Sequence, residues 1–175
     1  MPCTLPYEED RAIKHICRNY QIPNCVTFKL PDSNERACLS SRNEVSFYEG
    51  AFQGGHRFPM HRLIHEFLSF LSISPTELAP NAWQMMINSI IIWSTFNKGE
   101  DSFTLEELLF CYRLSQKKKI GYWYLSSREM GHSIITNMPS SNHIWTTSFF
   151  FVSGVGWEHP VRVKINAVAS LYGKK

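Results

Sequence analysis

A chain of 175 residues, 43% hydrophobic and 14% aromatic, has the length of one domain and ample apolar material for a core, which excludes a disordered polypeptide. No stretch approaches the roughly 20 apolar residues that span a bilayer, and the opening MPCTLPYEEDR has acids where a secretory leader needs cations and an apolar run. A cytoplasmic or nuclear protein without membrane contact is therefore expected. The net charge of +3 is unevenly placed: residues 1–112 carry 9 Lys+Arg against 13 Asp+Glu, and residues 113–175 carry 9 against 2. Such a basic C-terminal portion suits a solvated face or an anionic partner. The five cysteines are odd in number and none pairs at C-x-x-C spacing, so reduced, mostly packed thiols are expected.

In chain order, Tyr7 to Tyr20 reads as a helix with acids in its first turn and Ile13, Ile16, Cys17 and Tyr20 as its apolar stripe. Val26 to Leu30 alternates as a short strand, and Pro31 to Arg42 is a polar loop. Val45, Tyr48 and Phe52 share a face if Glu44 to Phe52 is a short helix stopped by Gly54-Gly55. The densest apolar stretch follows, Phe58 to Trp93, as two amphipathic helices. Met60, Leu63, Ile64, Phe67, Leu68 and Leu71 line the first. Ser74, Pro75 and Glu77 form a cap signal, and Asn81 is placed to cap the second, which carries Trp83, Met86, Ile87, Ile90, Ile91 and Trp93.

Thr104 and Glu107 make a capping box for a further helix with Leu105, Leu108, Leu109 and Tyr112, and Lys117 to Lys119 lie just past its end, where cations favour the dipole. The remainder is read as short strands: Ile120 to Arg128, Ser133 to Thr136, Phe149 to Val152 (strand or helix end) and Val161 to Ile165, with a turn at Pro139 to Asn142. The expected class is α+β, a mainly helical N-terminal two-thirds with short antiparallel strands toward the C-terminus. One core is expected to join Trp83, Leu63, Phe67, Ile87, Ile90 and the run Phe149 to Phe151.

Chemistry-bearing motifs are sparse. His61 and His65 stand one helical turn apart, but the acid Glu66 follows the second histidine, whereas a zinc protease needs H-E-x-x-H. No third ligand is evident, so no metal, no cofactor and no catalytic residue is expected. His56, His132, His143 and His159 lack a nucleophile or acid at recognisable spacing, and no phosphate loop or nucleophile elbow is present. The strongest binding candidate is basic and aromatic: Lys117, Lys118, Lys119 and Arg128 to neutralise phosphates, Tyr122 and Tyr124 to stack on bases. Strand alternation puts Trp123 on the opposite side, toward a core.

The order of several motifs resembles a plant family, the gypsy-type transposon (transposase) domain found near the start of retrotransposon-derived reading frames. The resemblance spans roughly residues 7–165 and leaves a short C-terminal tail. It rests on YEEDRAIKHICRNYQIP, EVSFYEGAFQGGHRFPMH, SPTELAPNAW, GYWYLSSR and NMPSSNHIWTTSFFFVSG in that order. It implies a noncatalytic, Gag-like N-terminal region, because the acidic sets of a transposase or integrase and a Cys-x-x-Cys knuckle are lacking. It supplies no catalytic residue. Where the family carries cations, this chain has Gln84 and Thr146 to Ser148, which weakens a nucleic-acid role. The chain stops soon after the match, at LYGKK, as a truncated copy would. The expectation is self-association or a protein partner, with nucleic-acid binding through residues 117–128 as the alternative.

Overall fold

The computed structural model describes residues 6–32, 34–37, 44–117, 121–128, 135, 143–146 and 148–154. Lys118, Lys119, Cys3, Cys38, His132, His159, the strands expected over 133–136 and 161–165 and the turn at 139–142 lie outside them, apart from Ile135. The fold is α+β, with five α-helices and two small antiparallel sheets among the described residues.

Helix α1 spans Pro6–Asn19, and Ile13, Ile16, Cys17 and Tyr20 lean on the core as the stripe predicts. Strand β1 is Val26–Lys29. The segment expected as one helix divides instead: Val45–Tyr48 is strand β2, and only Glu49–Gln53 is helical, as α2. The three- and four-residue spacing of Val45, Tyr48 and Phe52 is accidental here. The β-branched and aromatic run pairs with Phe149–Gly154, strand β5, which settles the ambiguity of that run as strand. Strands are thus interspersed from the first third of the chain onward, not gathered toward the C-terminus.

The first sheet has the order β1-β5-β2, antiparallel throughout. Directly paired residues share a face, so Phe28, Val45 and Val152 lie on one side with Phe47 and Phe150. That side meets Phe52 of α2, Phe58 and Trp83 in an aromatic cluster, with Phe47 and Phe52 both within 6.2 Å of a neighbouring ring centroid. Phe149 and Phe151 point to the other side, where Lys29 stands over the Phe151 ring and the Ser46 hydroxyl donates to the Ala37 carbonyl. The run Phe149 to Phe151 is therefore split between two faces: Phe150 joins the cluster of Trp83, Leu63 and Phe67, and Phe151 is equally buried beneath the other face. Ile87 and Ile90 are half-buried at its margin.

Helix α3 is Arg62–Leu71, and a 3-10 turn at Pro75–Glu77 carries the full capping box of Ser74 and Glu77. Helix α4 is Pro80–Phe96. Its N-cap is Ala79, without a side-chain cap bond; Asn81 lies inside the first turn and donates to the Leu125 carbonyl at 3.1 Å. Proline at the first helical position already fixes the start, which frees Asn81 for a tertiary bond. Glycines let α2 reach α4: a Cβ on Gly54 would lie 2.9 Å from the Trp83 Cβ and the Pro80 carbonyl, and one on Gly50 would lie 2.9 Å from Pro80 Cγ.

Helix α5 is Leu105–Cys111, opened by the Thr104–Glu107 capping box. It ends before Tyr112, where strand β3, Tyr112–Lys117, begins; β3 pairs with β4, Tyr122–Ser127, as a hairpin. The hairpin is fixed to the helices by three polar links. The Ala79 amide donates to the Trp123 carbonyl at 2.8 Å, Asn81 reaches Leu125, and the hydroxyls of Ser89 and Tyr112 meet at 2.8 Å in a buried setting.

Candidate interaction surfaces

The basic-aromatic segment sits on this hairpin. Register places Arg113, Ser115, Lys117, Tyr122, Tyr124 and Ser126 on one face, and Tyr112, Leu114, Gln116, Trp123 and Leu125 on the face toward the core. Trp123 is thus on the core side as alternation predicts. Lys117 and Tyr122 are paired across the strands, with the ammonium 5.8 Å from the ring centroid. Lys117 is not at a helix terminus. The expected helix-end placement fails because Tyr112 to Lys117 alternates as a strand. The cation that serves the α5 terminus is Arg128, whose Nε and Nη2 donate to the Leu109 carbonyl at 3.1 and 2.8 Å.

The six expected binding residues therefore part company. Lys117 and Tyr124 share the outward hairpin face. Tyr122 shares it by register but is buried, edge-on to Trp145 at 5.5 Å. Arg128 is bonded to the helix end, and Lys118 and Lys119 lie outside the described residues. Arg113 joins the face by register and was missed; the Y-R-L-S-Q-K alternation after the helix is the signal that finds it.

The histidines of α3 have local roles. His61 is the N-cap, its Nδ1 accepting from the Leu63 amide at 3.2 Å, and Glu66 is held by Arg62 at 2.8 Å. His65 is half-buried, with Nδ1 lacking a partner among the described residues. No group of three His, Cys, Asp or Glu side chains is arranged to hold a metal among the described residues. Of the described thiols, Cys17 and Cys111 are half-buried and free, while Cys25 is free and exposed, against the packed expectation.

The His56 imidazole is fully buried. It stacks on Phe47 (5.3 Å, 4° between planes) and lies 4.9 Å from the rings of Phe52, Phe58 and Trp83. Neither ring nitrogen has a hydrogen-bond partner among the described residues, nor does Trp83 Nε1. Burial, and secondarily the Arg57 charge, pushes the His56 pKa down to about 3, so the ring stays neutral. Nearby, Tyr20 donates to Glu49 at 2.9 Å beneath the Arg57 guanidinium, and burial with that bond raises its hydroxyl pKa to about 12.

A second surface is apolar. Ile91 is 56%, Phe96 84% and Phe110 82% exposed, whereas Ala82, Trp83, Met85, Met86 and Ser89 of the same α4 are buried. On a helical projection Gln84, Asn88, Ile91 and Thr95 share the outward face of α4 with Ile92 at its edge, while Phe96 projects with the buried Met85 and Ser89 and is exposed at the helix end. The signal in the sequence is surplus: apolar residues between Met85 and Phe96 run round the whole helix, more than one buried stripe can use.

No helix of the described residues is long and apolar enough to cross a membrane. The chain is 27% identical over 131 residues to an Arabidopsis thaliana protein named "Uncharacterized protein At3g60930, chloroplastic". The match covers 73% of this chain and 16% of that relative, so the chain spans about a sixth of the relative's length. No protein-family model and no solved structure matches the chain.

Proposed function

We propose that this chain is a noncatalytic assembly domain, the Gag-like structural region that its resemblance to gypsy-type transposon domains implies, and that its contacts are with protein. The observation that carries the reading is the outward placement of Ile91, Phe96 and Phe110 on helices whose opposite faces already belong to the core. Large apolar side chains left in water gain roughly 25 cal/mol per Å² when a partner covers them. The order of the motifs supports the element origin, and similarity to one stretch of a much longer plant protein fits a module of a larger polypeptide.

The carboxylates support the noncatalytic part. Phosphoryl transfer needs acids converging on metal ions, whereas Glu35 pairs with Lys29, Glu49 with Tyr20, Glu66 with Arg62, and Glu77 and Glu107 serve caps. Free thiols at Cys17, Cys25 and Cys111 suit the reducing cytoplasm or nucleus proposed for the chain.

A second reading, nucleic-acid binding, is favoured by the hairpin location of Lys117 beside Tyr122 and Tyr124. It ranks lower because Arg128 is engaged with Leu109 and Tyr122 is covered by Trp145. Titration of single- and double-stranded DNA and RNA at two salt concentrations separates the two, using the parent and the triple variant Lys117→Gln, Lys118→Gln, Lys119→Gln. The assembly reading expects weak binding that the variant leaves unchanged. Tight binding with a steep salt dependence, whose log–log slope drops by about 0.7–0.9 per phosphate contact removed, reverses the ranking.

A further inference from the structure

We infer that the outer edge of strand β3 takes an extended, acidic segment of a partner protein as an added antiparallel strand; this rests on the assembly reading and names the kind of partner. The two edges of the hairpin differ. On β4 the Trp123 carbonyl accepts from the Ala79 amide and the Leu125 carbonyl from Asn81, so these residues turn their backbone away from β3, and the chain's own α4 start covers that edge. Trp123 and Leu125 therefore form the non-hydrogen-bonded pairs with Gln116 and Leu114, and the ladder bonds of the hairpin run through Arg113, Ser115 and Lys117. The amides and carbonyls of Leu114 and Gln116 consequently point out of the hairpin, and they have no backbone partner among the described residues. An extended strand is the structure that satisfies such a row of groups.

The side chains select its chemistry. Arg113 and Lys117 are both exposed on the outward face, with Ser115 between them. Neither meets a carboxylate among the described residues, where the ion pairs are Lys29 with Glu35 and Arg62 with Glu66. From Leu108 to Arg128 the sequence contains no Asp or Glu. Cations on an edge keep like edges apart: a second copy added antiparallel about Ser115 would set Arg113 against the other copy's Lys117. A strand with acids at the two matching places turns the same charges into favourable cross-strand pairs. Leu114, half-buried on the core side, is best matched by an apolar residue opposite it. Antiparallel addition lets Leu114 and Gln116 each exchange both bonds with one opposite residue. A nucleic acid would match the cations and leave these backbone groups without a ladder.

The test is fluorescence anisotropy of a labelled, end-blocked peptide with the core Glu-Val-Thr-Val-Glu, titrated with the full chain to about 500 µM. Saturable binding with a dissociation constant on the order of 100 µM or tighter is expected. Arg113→Gln and Lys117→Gln should each weaken it about two- to fivefold, and a peptide with Lys in place of both Glu should not bind. Gln116→Pro removes an outward amide and no bond to β4, so it should abolish binding while the circular dichroism of the parent is retained. Methylating the two Val amides of the peptide should abolish binding to the parent with the protein untouched. No saturable binding up to the highest concentration, or undiminished binding of the methylated peptide, overturns the edge proposal; the assembly reading is then judged by the nucleic-acid titration, which does not involve this edge ladder. Displacement of the peptide by a single-stranded oligonucleotide that binds Gln116→Pro as well as the parent also overturns it. So does self-association of the parent that Gln116→Pro removes in sedimentation equilibrium, because the occupant is then a second copy.

Discussion

The two halves of α4 have similar apolar content and opposite surroundings. From Pro80 to Ser89 the helix is packed between α2, the first sheet and the hairpin, with Trp83 fully buried and Gly50 and Gly54 allowing backbone to approach backbone. From Ile90 to Phe96 it keeps one inward edge, where Trp93 meets Phe103 at 5.4 Å, and turns Ile91 and Phe96 to solvent. Hydrophobicity alone therefore does not define this core. What defines it is whether neighbouring elements reach the helix, and they converge on its first half.

The comparison can be broken most forcefully at Trp83. Trp83→Ala removes the side chain shared by α2, β2 and His56 and is expected to cost about 3–5 kcal/mol, enough to unfold a marginal domain; urea melts of parent and variant check it. Next comes the pH dependence of the same region. The unfolded chain protonates His56 near its ordinary pKa of 6.5, the folded one only near about 3. Stability present above pH 6.5 is therefore lost as the pH falls through that window, by up to about 1.4 kcal/mol per pH unit for this one group. His56→Leu should flatten the fall by one proton's worth, read from denaturant midpoints at pH 7, 6, 5 and 4. An unchanged pH slope in the variant would place the imidazole in contact with water. A smaller effect belongs to the boundary between the halves. Tyr112→Phe leaves the buried Ser89 hydroxyl without its partner at 2.8 Å and should cost about 1 kcal/mol, measured the same way.

The sequence showed the helices better than the strands, for physical reasons. Capping boxes are local, and both Ser74–Glu77 and Thr104–Glu107 form as their spacing predicts. Strands β2 and β3 depend on distant partners: Val45 to Tyr48 becomes a strand because β5 lies beside it, and Tyr112 to Lys117 because β4 folds back on it. Missing β3 led to a helix-end role for Lys117, which stands in that strand, while Arg128 is the cation bonded to the Leu109 carbonyl. The aromatic residues of the binding segment were placed on the correct sides by alternation, yet the burial of Tyr122 depends on Trp145, about twenty residues away in sequence. The desolvation of His56 had no sequence signal beyond its aromatic neighbours Phe52 and Phe58. The outward apolar face of α4 was visible as a surplus of isoleucines, but which of them face water is decided by packing.

The smallest expected effect tests the central claim most directly. In the double variant Ile91→Ser, Phe96→Ser both changed side chains are exposed ones on the second half of α4. Equilibrium urea unfolding at about 0.5 µM keeps weak association out of the measurement. The account predicts a free energy of unfolding within about 0.5 kcal/mol of the parent, as for ordinary surface changes. A loss of about 2 kcal/mol or more would mean that these side chains are covered within a single chain, and would contradict the account.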